Sequence, residues 1–93
     1  MASIVRSRRA QAEIEEATAT LGLRFDDELA RNLDLLAANP RIGPPHRSKR
    51  YPGLRKRILP DCQHYVYYLY LPPPEDVVIL VSVYSNRRKP PRL

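Results

Sequence analysis

The sequence predicts an α+β domain of order β-α-α-β-β-β, an antiparallel sheet of three to four strands covered on one face by an αα-hairpin. Three observations carry that expectation. His64 to Leu71 and Val77 to Tyr84 are runs of β-branched and aromatic residues, parted by Pro72-Pro73-Pro74-Glu75-Asp76. Proline lacks an amide donor and fixes φ, so the ladder stops there and the two runs fold back as a hairpin. Phe25, Leu29, Leu33 and Leu36 recur at steps of four, four and three, which stacks them on one helical face. At 93 residues the chain makes one domain, 1–93, ending in a basic tail, 85–93.

Taken in order, Ile4 and Val5 ahead of Arg6 predict a brief strand over Ser3 to Ser7 that adds to the sheet edge. Arg8 to Ala19 is rich in alanine, glutamate and glutamine, good helix formers with a thin apolar stripe. Gly22 interrupts the pattern. A second helix follows, its stripe widened by Ala30 and Leu35, with Asp26, Asp27 and Glu28 in a first turn that favours negative charge. Asn39-Pro40 ends it, because the residue before proline is pushed out of the α region. Arg41 to Gly53, punctuated by Gly43, Pro44, Pro45 and Pro52, reads as a surface loop. Leu54 to Leu59 alternates: Leu54, Lys56 and Ile58 on one side, Arg55, Arg57 and Leu59 on the other. Pro60-Asp61 then turns the chain into the hairpin. Val77 to Tyr84 is apolar on both faces and is expected in the middle of the sheet. The face away from the helices is expected to be free, with arginines on it and at the C-terminus.

Composition narrows the function. Formal net charge is +6 and the pI about 9.9, which favours an acidic partner. The charge is segregated. Ala10 to Asp34 holds seven acids against two arginines, whereas Arg41 to Arg57 holds seven basic residues and no acid. The tail adds Arg87, Arg88, Lys89 and Arg92. No apolar run approaches the ~20 residues of a membrane span, and the start runs straight into charge, so a cytoplasmic protein is expected. The single cysteine, Cys62, makes neither an internal disulfide nor a zinc site. No cofactor and no metal are expected, since no Gly-rich phosphate loop is present.

At this point the residues resemble a family. Arg24-Phe25-Asp26-Asp27-Glu28-Leu29, followed by Leu33-Asp34-Leu35-Leu36-Ala37-Ala38-Asn39-Pro40-Arg41-Ile42-Gly43, is similar to the second helix and its exit in RelE/ParE toxins. Pro52-Gly53-Leu54-Arg55 resembles the lead-in to their second strand, and Tyr65-Val66-Tyr67-Tyr68 their tyrosine-rich third strand. Val81 to Arg88 resembles the last strand and its basic end. The resemblance rests on the order and spacing of these pieces together. It implies the toxin of a type II toxin–antitoxin module, in a hetero-oligomer with a cognate antitoxin, often ParD-like, whose acidic C-terminal segment neutralises it.

The resemblance divides by mechanism. RelE-like members cut mRNA on the ribosome by attack of a 2′-hydroxyl on the adjacent phosphate. That needs a proton acceptor, cations for the charged phosphorane and a donor to the leaving oxygen. On this branch the resemblance points to Arg55, Arg57, His64 and Arg87. Against it, no C-terminal helix carries a tyrosine, and Ser85 stands where many members have histidine. ParE-like members poison DNA gyrase by binding, and the Asn39-Pro40 exit and Arg87-Arg88 ending look closer to them. Binding is thus the main reading, an mRNA endoribonuclease the alternative, and a basic RNA-binding module the third. On the binding reading Arg55, Arg57, Arg87, Arg88 and Lys89 contact the target, and Phe25, Leu29, Leu33, Tyr67 and Arg57 contact the antitoxin. Each feature also has a plainer reading: charge guarding a sheet edge, a solvated tail, tyrosines and histidines that only pack.

Overall fold

In the computed structural model, residues 1–89 and 91–93 are described; Pro90, within the expected basic tail, lies outside them. The elements are β1 (Ser3–Arg6), α1 (Arg8–Leu21), α2 (Leu23–Ala38), β2 (Arg55–Leu59), β3 (His64–Leu71) and β4 (Val77–Ser85). They form one four-stranded sheet in the order β1-β4-β3-β2, with β4 and β3 in the middle. Among the described residues no helix is long and apolar enough to cross a membrane.

The β2–β3–β4 part is antiparallel, as expected. The edge strand β1 departs from that pattern and runs parallel to β4. Parallel neighbours need a crossover, and the two helices supply it. α1 carries the chain onward and α2 brings it back to where β1 began; the Ala2 amide donates to the Ala37 carbonyl at 2.9 Å. From there β2, and with it β4, sets out in the direction of β1.

β1 covers only the first half of β4, and α1 takes over at the second half. Ser7 caps α1, its Oγ accepting from the Ala10 amide at 3.0 Å, while the same hydroxyl donates to the Val81 carbonyl at 3.0 Å. One turn on, Glu13 Oε1 accepts from Ser82 Oγ at 2.8 Å and from the Val83 amide at 3.1 Å. A side chain of α1 thereby satisfies an edge donor that a fifth strand would otherwise meet.

The main core lies between helices and sheet. Ala10, Ile14 and Ala17 of α1 and Phe25, Leu29 and Leu36 of α2 pack on Leu59, Val66, Tyr68, Val78, Leu80 and Val83. A second, smaller cluster forms on the other face, where Leu54, Tyr67 and Val81 are buried beneath Tyr51, Tyr65, Leu69, Tyr84 and Leu93. The face away from the helices is therefore partly roofed by the 41–54 loop and the chain's end, where a free face was expected.

Gly43 shows how tightly that loop is seated. Its amide donates to the buried Tyr68 hydroxyl at 2.9 Å. A Cβ there would lie 2.8 Å from the Tyr68 oxygen and 2.9 Å from the Lys56 carbonyl oxygen. One of those neighbours is backbone, so relief requires the loop to move off β2. Gly43→Ala is expected to cost about 2 kcal/mol, a fall in melting temperature on the order of 10 °C in thermal denaturation.

Candidate partner-binding surface

Strand side chains alternate between faces, so the register of β2 decides where its cations go. Arg55 pairs with Tyr68 and Arg57 with Val66, both core residues under the helices. Arg55 and Arg57 therefore project on the helix side, at the margin of α2, and the expectation that they stand on the opposite face is corrected. Arg55 Nη1 donates to the Gly43 carbonyl at 2.7 Å and the Arg41 carbonyl at 3.3 Å. Arg57 Nε donates to Asn32 Oδ1 at 3.1 Å, and the buried Asn32 is itself held by its amide on the Glu28 carbonyl at 2.8 Å. Both arginines thus hold the loop and helix to the strand.

The cation on the other face is Lys56. It pairs with Tyr67, and its Nζ sits 4.5 Å from the centre of the Tyr65 ring. Around it lies an aromatic surface: Tyr65 and Tyr67 with centroids 6.2 Å apart, His46 edge-on to Tyr67 at 5.1 Å, and Arg50 over Tyr51 at 5.4 Å. Burial raises the Tyr67 hydroxyl above its usual value, with nearby Tyr65 adding to it. Toward β1 the face continues as a cross-strand row, Val5–Ile79–Leu69, in which Val5 is 49% exposed. The alternation of Leu54 to Leu59 separates Lys56 from Arg55 and Arg57 without telling which set faces the helices; the pairing with Tyr67 decides it.

A separate cleft of about 420 Å³ opens between the C-terminal end of α1 and the far ends of β3 and β4. His64 and Arg87 line it; Arg55 and Arg57 do not. The four residues of the ribonuclease set thus occupy two places. The cleft is organised by the turn at 61–63. Pro60-Asp61 starts it, and Gln63, at φ 53°, adopts the left-handed conformation rare for a side-chain-bearing residue. From beneath, the Glu28 carboxylate accepts from the Asp61 amide at 2.8 Å and the Cys62 amide at 2.9 Å. From above, Arg24 Nη2 donates to the Asp61 carbonyl at 2.6 Å, and Arg87 Nε to Gln63 Oε1 at 2.8 Å. His64 Nδ1 lies 2.8 Å from the Cys62 carbonyl, which can only accept, so Nδ1 carries a proton. The His64 ring rests edge-on to Phe25 at 5.3 Å.

The remaining expected site residues divide by exposure. Arg88 is 3.4 Å from Glu16 across the cleft, and Lys89 is exposed. Phe25 is wholly buried and Leu29 is 3% exposed, so neither presents a surface to an antitoxin, and that expectation is corrected: the helical stripe faces the sheet. Leu33 is half-buried, and Tyr67 lies under the aromatic surface just described. Glu28, Asn32, Arg24 and Gln63 were not singled out as site residues from sequence. For Glu28 the one available signal was its place three residues after Phe25 and one before Leu29, inside the buried stripe.

Compared with known proteins, residues 4–90 match the family model described as the ParE toxin of type II toxin–antitoxin system, parDE. No curated protein matches the chain. Among solved structures it is similar to the isolated RelE toxin of E. coli, with a TM-score of 0.73, 20% identity, and coverage of 96% of this chain and 88% of that one. It is also similar to the intact E. coli RelBE toxin–antitoxin complex, with a TM-score of 0.71, 20% identity and coverage of 95% and 100%. A third likeness is to the chromosomal ParDE system of P. aeruginosa, with a TM-score of 0.66, 15% identity and coverage of 91% and 96%. At these identities the structural likeness speaks to fold alone.

The Glu28 clamp generates an acid-stability prediction. Burial raises the Glu28 carboxyl, but the amides of Asp61 and Cys62 outweigh it, and the net value lies below the ordinary 4.5. A carboxylate depressed by folding contributes fully above its unfolded value. That contribution is lost as pH falls through the folded one. Chemical denaturation is therefore expected to show stability falling as pH drops below about 4.5. Glu28→Gln should flatten that part of the curve and cost about 2 kcal/mol at neutral pH.

Proposed function

The chain belongs to the ParE toxin family of type II toxin–antitoxin systems, and on that premise we propose that it inhibits growth by binding a target such as DNA gyrase, and that a cognate ParD-like antitoxin with an acidic C-terminal segment neutralises it. The observation that carries this reading is the match of a ParE family model along residues 4–90. The arrangement of cations favours binding over cleavage. Arg55 and Arg57 are committed to Gly43, Arg41 and Asn32, away from the cleft that holds His64 and Arg87. Phosphoryl chemistry needs its acid, base and charge-stabilising groups within hydrogen-bond reach of one phosphate.

Lys56 on the sheet face and Arg87, Arg88 and Lys89 at the end of β4 are the cations offered to acidic partners in this reading. Leu33 and Arg57, at the margin of α2, are the surface that remains for the antitoxin from the residues expected to meet it. Exposed cations give modest, salt-sensitive binding energy each and act mainly together.

Expression in bacteria is expected to arrest growth, and the purified chain to inhibit gyrase supercoiling while leaving ribosome-bound mRNA uncut. Replacing Arg87, Arg88 and Lys89 together by alanine should weaken target binding about tenfold, at roughly 0.5 kcal/mol per exposed cation. The thermal unfolding of that variant should stay close to the parent's. Undiminished growth arrest would remove the tail from the mechanism, and ribosome-dependent cleavage would replace the binding reading by the endoribonuclease one.

A further inference from the structure

The sheet face away from the helices is roofed in its middle, where Tyr51 of the 41–54 loop and Leu93 pack on Leu54, Tyr67 and Val81. Toward β1 the side chains are less covered. Two cross-strand rows follow one another there, Val5–Ile79–Leu69 and Ser3–Val77–Leu71. Val5 is 49% and Leu71 40% exposed, while Leu69, Val77 and Ile79 are half-buried. Aliphatic side chains gathered on one face in contact with water mark an interaction surface. The charge on that face has one sign. Along the strands, among the described residues, it carries the cation Lys56 and no acid. Arg50 stands beside it over Tyr51, and neither cation belongs to an ion pair among the described residues. Glu75 and Asp76 come only in the turn beyond the last row, and Asp76 already accepts from the Tyr70 hydroxyl at 2.6 Å. The acids of α1 and α2 lie across the sheet.

We infer that these two rows are the docking surface for the target, through a protein segment that is acidic and carries apolar anchors. Its apolar side chains cover Val5, Ile79, Leu69 and Leu71, and its carboxylates meet Lys56 and Arg50. This rests on the binding reading above and names the surface which that reading uses. Apolar contact supplies most of the affinity, and the cations supply approach and orientation. A second copy of the chain suits the face poorly, because it would set Lys56 and a net charge of +6 against their like. Leu33 and Arg57, given above to the antitoxin, project on the opposite side of the sheet.

The test measures binding of the purified chain to purified DNA gyrase, beside growth arrest on expression. Val5→Asp removes an anchor and places a carboxylate against an acidic partner, and it should weaken both readouts at least about tenfold. Lys56→Gln should weaken binding about threefold at low salt, the difference shrinking as salt rises. Leu23→Asp makes the same kind of change at the start of α2, at a side chain 77% exposed, and should leave binding within about twofold. Should Val5→Asp lose its thermal transition, Leu71→Asp carries the comparison. Equal binding by the Val5 and Leu23 variants overturns this surface and leaves the toxin reading standing. So does a parent dimer in sedimentation that Val5→Asp abolishes, which gives the face to a second copy. So does Val5→Asp that stays toxic but escapes neutralisation, which gives it to the antitoxin, or a single-stranded oligonucleotide that displaces gyrase, which gives it to nucleic acid. Where the parent arrests growth without binding gyrase, the ranking of the variants in growth arrest decides. A parent that does neither overturns both readings.

Discussion

The Glu28 carboxylate lies on the inward side of α2, almost out of water, and both its oxygens take amides of the 61–63 turn. A charge in that position is tolerated only because those two donors replace its hydration. The consequence reaches well past one side chain. With the turn fixed to α2, its outward carbonyls and the Gln63 side chain become fixed points for Arg24, His64 and Arg87. The end of β4 is tied to the same place, since the Asn86 amide donates to the Gln63 carbonyl at 2.9 Å. Helix, turn, strand and tail meet there, and the cleft is the space left between them.

The sheet serves two cores of unequal size. One face packs under two helices; the other packs under a loop and holds its cluster through Leu54, Tyr67 and Val81. In a chain of 93 residues little apolar surface is left over, so polar groups must carry part of the assembly. Asn32 holding Arg57, Tyr68 receiving the Gly43 amide and Glu13 closing the open edge of β4 are that polar framework. Among the described residues no buried side-chain polar atom is left without a partner, as a uniquely packed interior requires.

Family membership and geometry bear on function in different ways. Membership makes the chain a type II toxin. Geometry bears on mechanism, because the arginines of β2 act as staples for the loop and for α2, whereas a scissile phosphate would need them beside His64 and Arg87. The same cations that a list of basic residues treats alike have separate tasks once their hydrogen bonds are known: Arg55 and Arg57 hold structure, Lys56 faces outward across Tyr65, and Arg87 and Arg88 span the cleft.

Periodicity, together with the proline and glycine breaks, determined the element order. The leucine stripe of α2, the proline break between β3 and β4 and the alternation of β2 were all legible, because each is a local pattern that backbone geometry imposes on its neighbours. The parallel placement of β1 was not, since strand direction depends on where α2 returns the chain. Nor was the side on which Arg55 and Arg57 lie. Alternation sorts residues into two sets but does not say which set faces the helices, and that followed only from pairing with Val66 and Tyr68. Glu28 shows the limit most clearly. In sequence it is one of three acids near a helix start, and a buried carboxylate looks the same as a solvated one until two amides from 33 and 34 residues away are brought to it. Contacts of that range belong to the tertiary structure, because no local pattern records which donors will arrive.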